Sequence, residues 1–181
     1  MQTPRPLVCG TDFSECAGQA LELAVELASP AAAGITLVHV CELGALDLDD
    51  RRLWQCEEAL SELVARHRRR RIDITGILRS GTPWTKLDNV AAEVGARLIV
   101  IGRHGAGRGR SVALGSVADR LVRSASRPVL TVPFDADRSG SSGAPPGYAA
   151  GRGCDVTDDS GGEPERGGRA DGVFSRGIAS T

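Results

Sequence analysis

Arg97-Leu98-Ile99-Val100-Ile101-Gly102-Arg103-His104-Gly105-Ala106-Gly107-Arg108-Gly109-Arg110 changes character at Gly102. The residues before it form a short apolar run, rich in β-branched side chains and without polar alternation, which suits a strand buried on both faces of a parallel sheet. The nine from Gly102 onward hold four Gly and three Arg. Glycine lets the backbone approach a ligand closely, and successive N–H groups in such a loop make a concavity that attracts anions. Leu114-Gly115-Ser116 then opens a helical pattern, whose N-terminus adds unpaired N–H donors and the positive end of a dipole. The Ser116 hydroxyl is placed either to cap that helix or to meet a phosphate oxygen.

Working outward, Pro6 to Cys9, Ile35 to Val40 and Pro128 to Val132 are comparable apolar runs, while Ile72 to Leu78 is weaker and partly alternating, as an edge strand would be. Apolar residues between the runs recur at spacings of three and four. The stripes are Ala17, Leu21, Ala24, Ala28; Leu53, Cys56, Leu60, Leu63, His67; Leu87, Val90, Val94; and Val117, Leu121, Ala125. Ser14 is a candidate N-cap, Thr82-Pro83 supplies a cap followed by Pro at the first helical position, and Gly95 closes the third helix. The order βαβαβαβαβ predicts an α/β fold with a single doubly wound, five-stranded parallel sheet, right-handed crossovers and helices on both faces. In such sheets ligands bind beyond the carboxyl ends of the strands. Gly10-Thr11-Asp12-Phe13-Ser14, after the first strand, therefore joins the Gly/Arg loop as a place to look for chemistry.

The chain has 181 residues, 41% apolar and 3% aromatic, with 22 basic against 23 acidic side chains. Composition breaks after Phe134. Residues 1–134 read as one domain, and residues 135–181 as a disordered tail: 11 of its 47 residues are Gly, and only Val156, Val173, Phe174 and Ile178 supply Val, Ile, Leu or Phe. No apolar run is long enough for a membrane span, and no basic-then-apolar leader opens the chain. Net charge is −1, so no global field attracts nucleic acid or a membrane surface. Five Cys form no C-x-x-C pair and fall mostly in apolar stripes, where a thiol packs as a small hydrophobe. A cytoplasmic location follows.

Gly102-x2-Gly105-x9-Gly115-Ser116 matches, at every spacing, the nucleotide-binding pattern of the universal stress protein family. Thr11-Asp12-Phe13-Ser14-Glu15, Val38-His39-Val40, Gly81-x-Pro83 and Pro128 to Val132 resemble its other motifs, in order, over roughly Pro4 to Pro133. The resemblance implies strand order 3-2-1-4-5, ATP over strands one and four, Mg²⁺ or Mn²⁺ with it, and homodimers through Pro128 to Val132. Carried over, Gly10, Thr11 and Asp12 lie beside adenine and ribose, and Val40 bonds the adenine edge through its backbone. Gly102, Arg103, His104, Gly105, Ala106, Gly115, Ser116 and Val117 surround the phosphates, with Arg108 within reach of the γ-phosphate and Arg110 a further positive charge beside it.

Competing readings concern the same residues. Asp12 is also placed to cap the first helix, His39 reads as a packed or hydrogen-bonded histidine in the second strand, and His104 shapes its turn. Arg68 to Arg71 closes a helix, where cations complement the dipole. A Walker A lysine motif is absent, the only Lys being Lys86, and no base, nucleophile and orienting group fall together. The expected function is an ATP-binding, stress-response regulatory protein with a protein partner. A slow ATP hydrolase or phosphate-transfer enzyme, or a nucleotide-free scaffold, are the alternatives.

Overall fold

The computed structural model describes residues 4–29, 33–42, 50–105 and 113–138. Strands β1 (Leu7–Thr11), β2 (Ile35–Cys41), β3 (Ile74–Ser80), β4 (Leu98–Gly102) and β5 (Val129–Val132) alternate with helices α1 (Glu15–Ala28), α2 (Asp50–Arg69), α3 (Pro83–Glu93) and α4 (Ser116–Ser124). All neighbouring strands pair in parallel, in the order β3-β2-β1-β4-β5. The doubly wound sheet expected from the alternation of patterns is the fold observed.

Period-two side-chain alternation explains why the central strands are apolar throughout. Leu7, Cys9, Ile35, Leu37 and Val100 point to one face, where α1 and α2 cover them with Ala20, Leu21, Ala24, Leu60 and Leu63. Val8, Val38, Ile99 and Ile101 point to the other, against Leu87, Val90 and Ala91 of α3 and Ala118 and Leu121 of α4. Neither face of the sheet's middle meets solvent, so neither can carry charge.

Ser14 and Gly95 end their helices as read, whereas Thr82 stands at the α3 N-cap, before Pro83, without a side-chain bond. Ser14 Oγ accepts from the Ala17 N–H at 3.2 Å. Gly95, at φ 63°, ends α3 with its N–H on Ala92 O and the Ala96 N–H on Ala91 O, the paired closure that a left-handed residue permits. β1 and β4 run further than the apolar runs alone indicated. Gly10 and Thr11 pair with Val38 and His39, and Gly102 pairs with Val132, so these residues end strands instead of beginning loops. Packing also continues past Phe134: the Asp135 N–H donates to Gln19 Oε1 at 2.7 Å, Gln19 Nε2 donates back to Asp135 O, and Ala136–Arg138 makes a 3₁₀ turn. The rest of the segment read as a tail lies outside the described residues.

Candidate functional site

Strand order reverses at β1, with β2 and β3 on one side and β4 and β5 on the other. Connections leaving β1 and β4 in opposite directions open a crevice above their carboxyl ends. Asp12 follows β1 directly. Its Oδ1 accepts from the Ser14 N–H at 3.1 Å and from the Ser14 hydroxyl, and Ser14 in turn caps α1. The other carboxylate oxygen, Oδ2, lies against Gly105, where an added Cβ would stand only 2.8 Å away. Thus one residue braces α1 and faces the β4 loop, and any side chain at Gly105 would have to push that oxygen aside. Phe13 beside it is left-handed, φ 62°, which costs a non-glycine residue about 1–2 kcal/mol. Its ring is buried and lies 4.4 Å, centroid to centroid, from that of His39.

Gly102 of the pattern, and Gly10 at the end of β1, serve packing. A Cβ on Gly102 would stand 3.0 Å from Cys16 Sγ and 3.1 Å from the Ala17 backbone nitrogen, so this glycine sets how closely α1 approaches β4. A Cβ on Gly10 would meet Ile101 at 3.0 Å and Leu87 at 3.1 Å, on the α3 face. Gly115 is different. Its N–H donates to Arg103 O at 2.9 Å, and its own added Cβ would sit 3.2 Å from that oxygen. This contact joins the two halves of the glycine pattern, β4's end and α4's start.

Gly115 is also the N-cap of α4, a role the sequence offered to Ser116. Ser116 is instead the first helical residue and exposed, and no side-chain bond caps the helix. The first intrahelical donor is Asp119, to Gly115 O at 2.8 Å. Its predecessors Ser116, Val117 and Ala118 hold the N–H groups that a helix start leaves open. The Val117 side chain packs into the α3–α4 core. His104 is half-buried, and its Nδ1 is buried with no hydrogen-bond partner among the described residues. The Arg103 N–H donates to Val132 O at 2.7 Å. Val40 stands one residue beyond the last β1–β2 pair, Thr11 with His39, so β1 no longer flanks it. Thr11 Oγ1 accepts from the Phe13 N–H at 3.0 Å. Ala106, Arg108 and Arg110 lie outside the described residues.

Beneath the crevice, complete burial pushes the Cys9 thiol up to about 12, so it stays protonated at neutral pH and supplies no nucleophile. The arrangement is one of donors around a concavity: it can hold an anion, with a carboxylate at one side. Two convergences were not read from the sequence. His67, in the α2 stripe, reaches Glu22 Oε1 of α1 at 3.3 Å, and Cys56 of α2 meets His39 and Cys41 of β2. His39-x-Cys41 in a strand puts both side chains on one face, which was the available signal for the second.

Comparison with known proteins follows the same boundaries. The model of the universal stress protein family matches residues 4–133. Among solved structures, a universal stress protein from Archaeoglobus fulgidus in complex with dAMP is 26% identical, with TM-score 0.60 over 72% of this chain and 99% of that one. A universal stress family protein from Burkholderia pseudomallei is 28% identical, with TM-score 0.57 over 74% and 99%. A universal stress protein in complex with cAMP, 23% identical with TM-score 0.57 over 72% and 98%, shares the fold. No curated protein sequence matches the chain.

Proposed function

The chain belongs to the universal stress protein family, and on that premise we propose that it binds a purine nucleotide, ATP foremost, in the crevice over β1 and β4, and acts as a nucleotide-dependent regulator in stress signalling. The observation that carries this reading is the 2.9 Å bond from the Gly115 N–H to Arg103 O, which holds the α4 N-terminus against the glycine loop beside Asp12. The N–H groups of Ser116, Val117 and Ala118, which the start of α4 leaves open, are the donors that would meet phosphate oxygens. The Ser116 hydroxyl, released from capping, adds a donor, and His104 Nδ1 is a further polar atom beside it without a hydrogen-bond partner among the described residues. Asp12, Thr11 and the Val40 backbone are left for ribose and adenine. That a family member 26% identical is in complex with dAMP supports the same class of ligand.

Mg²⁺ takes oxygen ligands and is usually held by substrate phosphates with one or two carboxylates. Asp12 and Ser116 are oxygen donors of that kind at the crevice, so the residues fit a phosphate-bound Mg²⁺ or Mn²⁺, which would neutralise phosphate charge when bound. Among the described residues Cys9, Cys16, Cys41 and Cys56 are buried and none is in a disulfide, which suits a reducing cytoplasm.

Titration calorimetry and thermal shift with ATP, ADP and AMP test the proposal. A ligand confined to the folded state raises Tm by mass action. Ser116→Ala removes one hydrogen bond to a charged group, about 1.5 kcal/mol or more, hence roughly tenfold in affinity. Its unliganded Tm should not move, because Ser116 caps nothing. No response to any purine nucleotide overturns the reading.

A further inference from the structure

His39 and Cys41 sit two apart on β2, so their side chains share the face covered by α1 and α2. Cys56 projects from α2 onto that face. One ring nitrogen of His39 and the sulfurs of Cys41 and Cys56 all lie within 4.8 Å of one another. The three residues are 7–9% exposed and stand on the sheet and its covering helix, not on a loop. From this convergence we propose that His39, Cys41 and Cys56 form a Zn²⁺ site on the face of the sheet that α1 and α2 cover.

The donor set selects the metal. Two thiolates with an imidazole suit Zn²⁺ over hard cations, which take oxygen. His39 Nδ1 lies 2.8 Å from the Thr11 carbonyl oxygen, which only accepts, so Nδ1 carries the hydrogen and the lone pair is left on Nε2. An outer-shell carbonyl that fixes tautomer and ring orientation is the usual companion of a metal-binding histidine. Tetrahedral zinc, with bonds of about 2.3 Å to sulfur and 2.0 Å to nitrogen, places ligand atoms roughly 3.5–3.8 Å apart. The present cluster, within 4.8 Å, therefore closes by no more than about 1.3 Å. Two thiols release two protons to solvent, three metal–ligand bonds form, and nothing is oxidised or reduced. Two thiolates cancel the dication, so the loaded site is neutral and suits burial. Three protein ligands leave a fourth position for water or an external donor.

Co²⁺, which takes tetrahedral sites and absorbs where Zn²⁺ does not, is the probe. One equivalent added to the reduced full chain without air should give thiolate-to-metal charge-transfer bands in the near ultraviolet and strong visible bands, both erased by one equivalent of Zn²⁺. Cys41→Ser and Cys56→Ser should each abolish the bands, and Cys154→Ser should leave them. A second measurement, which does not depend on a serine variant folding, uses the unaltered chain. Zn²⁺ should slow alkylation of Cys41 and Cys56 more than tenfold, mapped by mass spectrometry, while Cys154 reacts at its usual rate. Absent charge-transfer bands, bands that survive both serine variants, or alkylation indifferent to Zn²⁺ would each overturn the site.

Discussion

Asp12 is asked to do two things with one carboxylate, and the two oxygens divide them. Oδ1 organises Ser14 as the α1 cap, and Oδ2 faces Gly105 across the crevice. Removing it should therefore weaken the fold even without ligand: Asp12→Ala is expected to cost about 1 kcal/mol, the usual size of a lost N-cap. Asp12→Asn keeps an acceptor at Oδ1 and should restore most of it. Urea unfolding of both variants without nucleotide decides this, and an Asp12→Ala chain as stable as the parent would show that Ser14 caps alone. At this scale the sequence displayed the right residues but not their neighbours. Glycine spacing marked Gly102, Gly105 and Gly115 alike, yet one makes room for α1, one lies against Asp12 and one against Arg103 O. A pattern of absent side chains does not say what approaches.

Among the elements, the central strands were legible because burial on both faces leaves an apolar run with no other physical reading in an alternating α/β chain. β3 was legible only as weak. Gly76, which made it look so, is where α2 packs closest: an added Cβ would lie 3.0 Å from Val64 and 3.2 Å from Leu60. The Arg68 to Arg71 run looked like a solvated helix end, but two of the four are engaged. Arg68 Nε donates to Ile74 O at 3.0 Å, and Arg70 Nη1 donates to both Glu22 oxygens at 2.8 and 2.9 Å. Which arginines reach back depends on the turn at Arg71, φ 62°, and no periodicity encodes that. Partial burial pulls the Glu22 carboxyl up, but bonding and charge from Arg70, then His67, outweigh it and hold the carboxyl below the ordinary glutamate range. A depressed carboxyl stabilises the fold above its unfolded pKa and loses that contribution as pH falls through the folded value. Parent and Glu22→Gln chains should accordingly differ in unfolding free energy at pH 7, with the gap starting to close as pH falls below the ordinary glutamate value of about 4.3. The gap should stay under about 1 kcal/mol, since Arg70 is half exposed and solvent screens the pair. A gap that widens on acidification would reverse the assignment.

For the whole molecule, the ends and the sheet edges matter most. Gln19 is buried and spends its amide on the Asp135 backbone, so the folded unit reaches past the composition break by a few residues. Truncation after Arg138 should leave Tm unchanged, whereas truncation after Phe134 strands a buried amide, a loss of about 1–3 kcal/mol. Equal Tm values for the two chains would mean that Gln19 finds other partners.

β5 ends the sheet beyond β4, and we expect two copies to pair there. Pro128 O and Val132 O accept from Ile99 and Arg103 of β4. Hydrogen-bonding direction alternates along a strand, so the backbone groups of Val129 and Thr131 point away from β4, along the open edge. No charged side chain lies within Val129–Val132 to keep another strand off. Antiparallel pairing of two β5 strands about a two-fold axis would satisfy both edges at once. Charges at Leu130 or Val132 make poor tests, because Leu130 packs against the α1–α2 core and Val132 is buried within it. Thr131→Pro is the cleaner change: it deletes one outward N–H, leaves the bonds to β4 in place, and proline is tolerated on an edge strand. Sedimentation at micromolar concentration should find the parent a dimer and Thr131→Pro a monomer with an unchanged far-ultraviolet spectrum. A parent monomer, or a Thr131→Pro dimer, would move the interface elsewhere.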